Sequence, residues 1–309
     1  MKEKCFVSDC DRELLEYNGL NSFESLWNLE WDWFEEPNYR RNVWSGVSRH
    51  VLKSPEGECC AVFIKRQQNH NFKSWRHPMR GLPTTYREYE NICRMKKHGV
   101  PCPELIFYGH RNGPGQMQAI LITRSMEGYR PLEDCLGSLG SDDVDARRAL
   151  LASVAETVSR MHRHYLQHSC LYAKHILVRL KNNETSNLDG TYQCDSVLID
   201  LEKMRTSFPL SRLAVHDLDQ LYRHWRHEEG DWEAFIGSYL ACMDSGFLDK
   251  VLEDAVLKKA TKQIKRKSLR PVFSDPNWGA ERSCDFGLRI SDCGLAPRHE
   301  SAIRNPKLG

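Results

Sequence analysis

The chain has 309 residues, of which 40% are hydrophobic and 28% charged, so it can bury a core and is not compositionally disordered. The 44 basic and 42 acidic side chains leave a formal net charge of +2, which argues against a dedicated nucleic-acid-binding protein. No apolar run approaches the roughly 18 residues of a membrane-spanning helix, and the first residues lack a signal-peptide pattern. We therefore expect a cytoplasmic protein whose cysteines are free thiols.

The first 38 residues are acidic and rich in tryptophan, with Trp27, Trp31 and Trp33 close together. We interpret residues 1–38 as an extension packed on a first lobe. An aromatic docking surface is the alternative interpretation. Strands are predicted only from Asn42 onward.

A β-hairpin is predicted by two strand-like segments, residues 47–53 and 59–65. They flank residues 54–57, Ser-Pro-Glu-Gly, where proline presets the second turn position and glycine tolerates the last. The second segment is apolar and Lys65 ends it. A lysine at a strand end is by itself a weak indicator of a site, because many strands end in lysine for solubility.

A helix is predicted to follow from about Thr85 and to end before Gly99. Thr85 and Glu88 have the spacing of a capping box, in which Glu88 would be the N3 member. Glu88 also lies on the helix face that the apolar pattern buries, where it would meet Lys65. Both interpretations of Glu88 stay open at this point.

The second half of the chain is mainly helical, after two more strands predicted within residues 104–123. One long helix buries a face whose members recur at helical spacing: Leu150, Val154, Val158 and Met161. Two short apolar strands, at residues 176–178 and 197–199, come after it. Strands with one helix, then a helical half, indicate an α+β fold with two lobes.

We place the lobe boundaries where the predicted pattern changes. The N-lobe is expected at residues 39–125, the C-lobe at residues 126–270, and an irregular tail at residues 271–309. The 1–38 extension precedes the N-lobe.

Phosphoryl transfer requires a lysine on a strand, a helix glutamate, a catalytic loop and a metal-binding carboxylate. Lys65, Glu88, residues 168–175 and Asp200 supply candidates in that order. Asp200 alone could be a turn residue that ends its strand. The order of the candidates indicates nucleotide chemistry more strongly than any one of them.

Five short motifs resemble the Kdo/WaaP lipopolysaccharide kinase family, particularly its InaA-type members, over residues 42–225. They are Arg87-Glu88-Tyr89-Glu90, Gly99-Val100-Pro101-Cys102-Pro103, His168-Ser169-Cys170-Leu171-Tyr172-Ala173-Lys174-His175, Val197-Leu198-Ile199-Asp200-Leu201 and His216-Asp217-Leu218. The resemblance implies a bilobal protein-kinase-like fold, with a small β-rich N-lobe containing one helix and a larger helical C-lobe. It also implies a kinase that uses ATP and Mg²⁺ to phosphorylate a lipopolysaccharide core sugar, or another anionic sugar acceptor.

Carried over residue by residue, the resemblance implies that Lys65 contacts the ATP phosphates and that Glu88 is its ion-pair partner. Asp200 would bind Mg²⁺. His175 would be a second metal ligand, although magnesium prefers oxygen.

The resemblance assigns four further roles. The nucleotide would be contacted by Met126 and by Gly46, which is the single glycine of a loop at residues 42–47. His168 would anchor the catalytic loop. Asp217 would brace that loop rather than touch substrate.

Cys170 departs from the family's pattern, because it stands where the catalytic aspartate is expected. A thiol accepts a proton poorly at neutral pH and aligns a hydroxyl less well than a carboxylate does. Two functions therefore stay open: an active sugar kinase, and a pseudokinase or regulatory nucleotide-binding protein. A protein kinase is a weaker third option, because no activation segment ending in Ala-Pro-Glu is present.

Two basic segments, residues 65–80 and 258–270, remain. The second is interpreted first as a solvated helix face. The alternative for both is peripheral contact with anionic lipid at the inner membrane, at roughly 1 kcal/mol per basic side chain. The first segment could instead bind an anionic acceptor.

Two other patterns are interpreted as uninformative about function. Residues 285–287 spell Asp-Phe-Gly by chance, because no apolar strand precedes them. His162, His164 and His168 are interpreted as structural residues rather than metal ligands.

Overall fold

The computed structural model describes residues 2–243 except 30–32, 36, 38, 40–41, 75–76, 141–142, 182–191, 226–227 and 229. The predicted tail at 271–309, the basic run at 258–270 and the Asp-Phe-Gly sequence lie outside the described residues.

The described strands are β1 Lys2–Val7, β2 Trp33–Glu35, β3 Trp44–Lys53, β4 Cys59–Gln68, β5 Asn71–Ser74, β6 His77–Pro83, β7 Leu105–Gly113, β8 Gln116–Arg124, β9 Arg130–Pro131, β10 Leu166–Gln167, β11 Ile176–Lys181, β12 Gln193–Leu198 and β13 Arg205–Thr206. The α-helices are α1 Arg12–Tyr17, α2 Phe23–Trp27, α3 Thr84–Lys97, α4 Leu132–Gly137, α5 Val144–Arg163, α6 Leu210–Arg223 and α7 Asp231–Met243. Short 3₁₀ turns cover Asp9–Asp11, Ala173–His175 and Leu201–Lys203.

An antiparallel sheet with the order β1-β7-β8-β4-β3-β2 forms the N-terminal part. The predicted β3–β4 hairpin is confirmed, and its turn closes where the Gly57 N–H donates to the Ser54 carbonyl at 3.0 Å. Gly57 has φ +87°, a conformation that glycine adopts without strain. The prediction that Lys65 ends its strand is wrong, because β4 continues to pair with β8 as far as Gln68.

Strands also begin earlier than predicted. β1 pairs with β7 along its whole length, from Lys2 opposite Asn112 to Val7 opposite Phe107. Helices α1 and α2 bury Leu15 and Leu26 in an apolar cluster with residues of the sheet. The first 27 residues therefore supply an edge strand and cover one face of the sheet.

Helix α3 begins differently from the prediction. Pro83 precedes its first turn, and Thr85 lies inside the helix, so the predicted capping box is wrong. The side chain of Gln67 takes its place, because its Oε1 accepts from the Thr85 N–H at 2.9 Å and the Thr85 hydroxyl at 3.1 Å. Glu88 is consequently available for another partner.

The opposite face of the sheet shares a hydrophobic core with the helical part. Met95 of α3 and Leu121 of β8 belong to the same buried cluster as Val154 of α5 and Leu218 of α6. The helical periodicity predicted for residues 150–161 is confirmed as the buried face of α5. Burial of each such aliphatic side chain stabilises the fold by about 1.5–3 kcal/mol.

A mixed α+β fold, with an N-terminal antiparallel sheet and a helical C-terminal part, is thus confirmed. In the described ranges, none of the helices combines the length and apolar character needed to cross a bilayer.

Candidate active site

Lys65 forms two ion pairs where the sheet meets the helical part. Its Nζ lies 3.0 Å from Glu88 Oε2 and 3.2 Å from Glu202 Oε2. Glu88 belongs to α3, whereas Glu202 belongs to the 3₁₀ turn that directly follows Asp200. The side chains of Glu88 and Glu202 are 14% and 24% exposed, so both pairs are partly shielded from water.

The charge of Lys65 is stabilised by the carboxylates around it. Burial opposes that charge, but Glu88, Glu202 and Asp200 together hold the pKa of Lys65 above its ordinary value. Burial raises the pKa of Glu88, and Lys65 offsets this only in part. Lys65 lowers the pKa of Glu202 by more than burial raises it. Lys65 thus favours the charged form of both carboxylates.

Asp200 follows β12 and faces His175. Its backbone is left-handed, with φ 58° and ψ 56°, a conformation that aspartate tolerates better than most residues. Asp200 Oδ2 lies 3.6 Å from His175 Nε2. His175 Nδ1 bonds the Cys170 carbonyl at 2.9 Å, which leaves Nε2 as the nitrogen that faces the carboxylate.

The fully buried carboxylate of Asp217 holds the backbone of the predicted catalytic loop. It accepts from the N–H groups of His168, at 2.6 Å, and Ser169, at 2.9 Å. Burial alone would raise the pKa of Asp217, but hydrogen bonds from His162 and His216 hold it well below its ordinary value. The prediction that Asp217 braces this loop is confirmed.

His168 connects the loop to the strand that carries Asp200. Its Nε2 donates to the Ile199 carbonyl at 2.9 Å. Within the described part of the chain, His168 Nδ1 and Ser169 Oγ are buried without a hydrogen-bond partner. Burial lowers the pKa of both His168 and His175, so both rings are neutral near pH 7.

Acid is expected to destabilise the fold through these two imidazoles. Below the ordinary histidine value of about 6.5, the unfolded chain takes up protons before the folded chain does. The stabilisation is therefore present above about pH 6.5 and falls with decreasing pH, by at most ~1.4 kcal/mol per pH unit and histidine. Chemical denaturation across this range measures the slope.

The matched variant is His175→Asn, whose amide can keep the bond to the Cys170 carbonyl but does not titrate. Its free energy of unfolding should depend less steeply on pH, by about the contribution of one histidine. An unchanged slope in this variant would contradict the assignment to His175.

Cys170 is buried, and this thiol stands where the resemblance places a catalytic carboxylate. Its sulfur interacts with the Tyr172 hydroxyl and the Lys203 ammonium. Cys170 raises the pKa of Lys203, and Glu202 and Asp200 add to this effect. Burial lowers this pKa but is outweighed, so the ammonium stays charged. A thiol between a phenol and a cation accepts a proton from an acceptor hydroxyl less readily than an aspartate would.

Two further nucleotide contacts were predicted, at Gly46 and Met126. Gly46 is in β3 rather than a loop, so the loop predicted at 42–47 is wrong from Trp44 onward. A Cβ on Gly46 would lie 2.6 Å from the ring of Trp33, so the glycine makes room for an indole. Met126 lines a cavity of about 670 Å³, whose lining does not include Lys65 or Asp200. The contacts of Gly46 and Met126 with nucleotide both stay predictions.

Of the three histidines 162, 164 and 168, the first and the last both contact Asp217. His162 bonds Tyr239 at 2.8 Å and Asp217 at 3.3 Å, inside the core. His164 stacks on His98, with ring centroids 4.1 Å apart.

Sequence reasoning missed Glu202 as a site residue. The available signal was its position, two residues after a candidate metal ligand, where a short turn brings a side chain back toward the strand lysine. It also missed Asn91, which is buried in α3 and donates to the carbonyls of Leu201 and Met204 at 2.7 and 2.9 Å. Asn91 thereby fixes the backbone of the turn that carries Glu202.

The donors at Asp200 are suited to a magnesium ion that ATP would bring. Magnesium is commonly held by one or two carboxylates together with phosphate oxygens and water. The described residues contain no cluster of three metal-binding side chains, so most ligands would come from nucleotide and water. His175 fits less well than Asp200, because magnesium prefers oxygen to nitrogen.

The sequence of residues 24–239 matches the lipopolysaccharide kinase (Kdo/WaaP) family. Protein InaA of Escherichia coli K12 is 33% identical over 226 residues, which cover 72% of this chain and 96% of that protein. An Escherichia coli lipopolysaccharide core heptose(I) kinase, WaaP, is 25% identical over 240 residues, covering 76% and 79%. The solved structure of WaaP in complex with acyl carrier protein aligns with a TM-score of 0.56 at 20% identity, covering 87% of this chain and all of that one. This last similarity concerns the fold.

Proposed function

The chain belongs to the lipopolysaccharide kinase (Kdo/WaaP) family, and from this we propose that it is an ATP-dependent phosphotransferase. Its acceptor would be a hydroxyl group of a lipopolysaccharide core sugar, met at the cytoplasmic face of the membrane. The observation that carries the proposal is the Lys65–Glu88 ion pair close to Asp200.

We assign the parts as follows. The nucleotide lies between the sheet and the helical part, in a bilobal kinase arrangement with lobes near residues 39–125 and 126–270. Lys65 contacts the α- and β-phosphates, and Glu88 orients it. Asp200, with His175 beside it, holds Mg²⁺, which neutralises the charge that develops on the transferred group.

In the transfer step, the acceptor oxygen forms a bond to the γ-phosphorus. The bond from that phosphorus to the β,γ-bridging oxygen breaks, and ADP leaves. A loose transition state keeps the acceptor proton in place until late, so it can pass to the phosphate that is transferred. His168 and Asp217 hold the loop on which this geometry depends.

A pseudokinase or regulatory nucleotide-binding protein is the second candidate function, and Cys170 favours it. The position of the usual base carries a thiol, which interacts with Lys203. In that case ATP with Mg²⁺ raises the melting temperature by mass action but no phosphate moves.

The test is magnesium-dependent ATP turnover measured with purified protein and a set of acceptors, including lipopolysaccharide core oligosaccharide. Turnover that requires the core acceptor supports the sugar kinase. Binding without turnover, for every acceptor, supports the second candidate and contradicts the first.

Cys170→Asp separates the two candidates further. A carboxylate at this position can accept the acceptor proton, so we expect turnover to rise by about a hundredfold, at the low end of general-base effects. Cys170→Ser, which restores no base, is the matched control and should not increase turnover. A variant that gains activity where the natural chain has none identifies a degenerate kinase.

Contact with anionic lipid through residues 65–80 stays part of the proposal. Most of the β5–β6 hairpin lies in this segment, with the exposed Lys73 on β5 and Met79, which is 85% exposed, on β6. An apolar and a basic side chain on one hairpin are compatible with binding to a negatively charged membrane surface.

A further inference from the structure

Lys65 has little donor capacity left for a nucleotide. Its ammonium has three N–H donors, and Glu88 and Glu202 occupy two of them. One ammonium and the three carboxylates of Glu88, Glu202 and Asp200 give this group a formal charge of −2. Such a group repels the phosphates that Lys65 would bind.

The two carboxylates on Lys65 differ in how firmly they are held. Glu88 extends from the first turns of α3, whose start is fixed by Gln67. Glu202 is more exposed than Glu88, and it lies two residues after Asp200 in the chain. It extends from a turn whose backbone is anchored by Asn91, so only its side chain has to rotate to leave Lys65.

We propose that Glu202 occupies, in the nucleotide-free protein, the place on Lys65 that the ATP phosphates take, and that it moves aside when nucleotide binds. Glu202 is then a residue that sets nucleotide affinity, because each binding event must break its ion pair with Lys65. The inference rests on the proposed function only in assuming that Lys65 binds nucleotide.

The test compares dissociation constants for AMP-PNP with excess Mg²⁺, measured by calorimetry on the full chain. Glu202→Gln keeps the shape of the side chain and removes its charge. We expect binding to tighten by about tenfold, equivalent to about 1.4 kcal/mol. Glu90→Gln is the matched control on α3, because Glu90 contacts Tyr86 rather than Lys65, and it should leave the constant unchanged.

Glu202→Ala guards against an effect peculiar to the amide, and it should also tighten binding. An unchanged constant in both Glu202 variants overturns the proposal. Weaker binding also overturns it, and would mean that Glu202 helps to hold the metal. The proposal is also overturned if Glu90→Gln tightens binding as much as the Glu202 variants do.

The measurement is independent of phosphoryl transfer. A chain that binds AMP-PNP more tightly after Glu202→Gln but transfers no phosphate supports the role of Glu202 and contradicts the kinase proposal. If the chain transfers phosphate but the Glu202 variants bind AMP-PNP with unchanged affinity, the kinase proposal is supported and the role of Glu202 is contradicted. If neither the natural chain nor Glu202→Gln binds nucleotide, both proposals are wrong.

Discussion

Asp200→Ala is expected to reduce phosphoryl transfer on the order of 10³-fold or more, because it removes the carboxylate assigned to the metal. Among the described residues, Glu88 and Glu202 pair with Lys65 in the nucleotide-free protein, so neither stands ready as a replacement ligand. Steady-state turnover with saturating ATP, Mg²⁺ and acceptor measures the loss.

Two further variants make this result interpretable. The left-handed backbone conformation of residue 200 is less favourable for alanine than for aspartate. Asp200→Asn is therefore the second variant, because asparagine tolerates this conformation. It should be nearly as inactive. Asp195→Ala removes a carboxylate from β12 that pairs with Arg179 and Lys181, and it should retain turnover. Undiminished transfer in both Asp200 variants would exclude the assigned role.

Asp217→Ala is expected to lower the free energy of unfolding by about 3–5 kcal/mol, the range for losing one partner of a buried charged network. The substitution leaves the N–H groups of His168 and Ser169 without their acceptor in a region shielded from water. Urea denaturation followed by tryptophan fluorescence gives the change. The loop should also lose its conformation, so transfer should fall even where the variant remains folded.

Glu156→Ala on α5 is the control. Glu156 pairs with Arg160 one turn away at the surface, where its side chain is 56% exposed, and this pair should contribute less than about 1 kcal/mol. Equal destabilisation by the two substitutions would show that Asp217 has no special role. The Asp217 contribution also has a defined sign with pH. Because its pKa is lowered in the fold, the stabilisation is complete above about pH 4 and is lost in stronger acid.

Local patterns in the sequence predicted the parts of the fold that local physics determines. The β3–β4 turn follows from proline and glycine at fixed positions, and the buried face of α5 follows from helical spacing. Pairing of β1 with β7 joins residues about a hundred positions apart in the chain, so no local pattern could indicate it. The capping box failed for a related reason: Gln67, on another element, competes successfully for Thr85.

The candidate site was also predictable from the sequence only in part. Motif order was enough to select Lys65, Glu88 and Asp200, because each recurs at a defined place relative to a strand or helix. It could not show that Gly46 makes room for Trp33, since a glycine that admits an indole and a glycine that admits a phosphate look alike in sequence. It overlooked Glu202, whose importance depends on a side-chain contact across 137 residues.

The two hydrogen bonds of Asn91 have a mechanical consequence. They tie α3 to the turn that starts at Asp200, so the helix that supplies Glu88 and the turn that supplies Glu202 move as one piece. A protein or lipid that displaces α3 would shift both partners of Lys65 and the metal carboxylate together. A regulator that binds the surface of α3 would therefore affect the lysine, the metal site and the nucleotide site together.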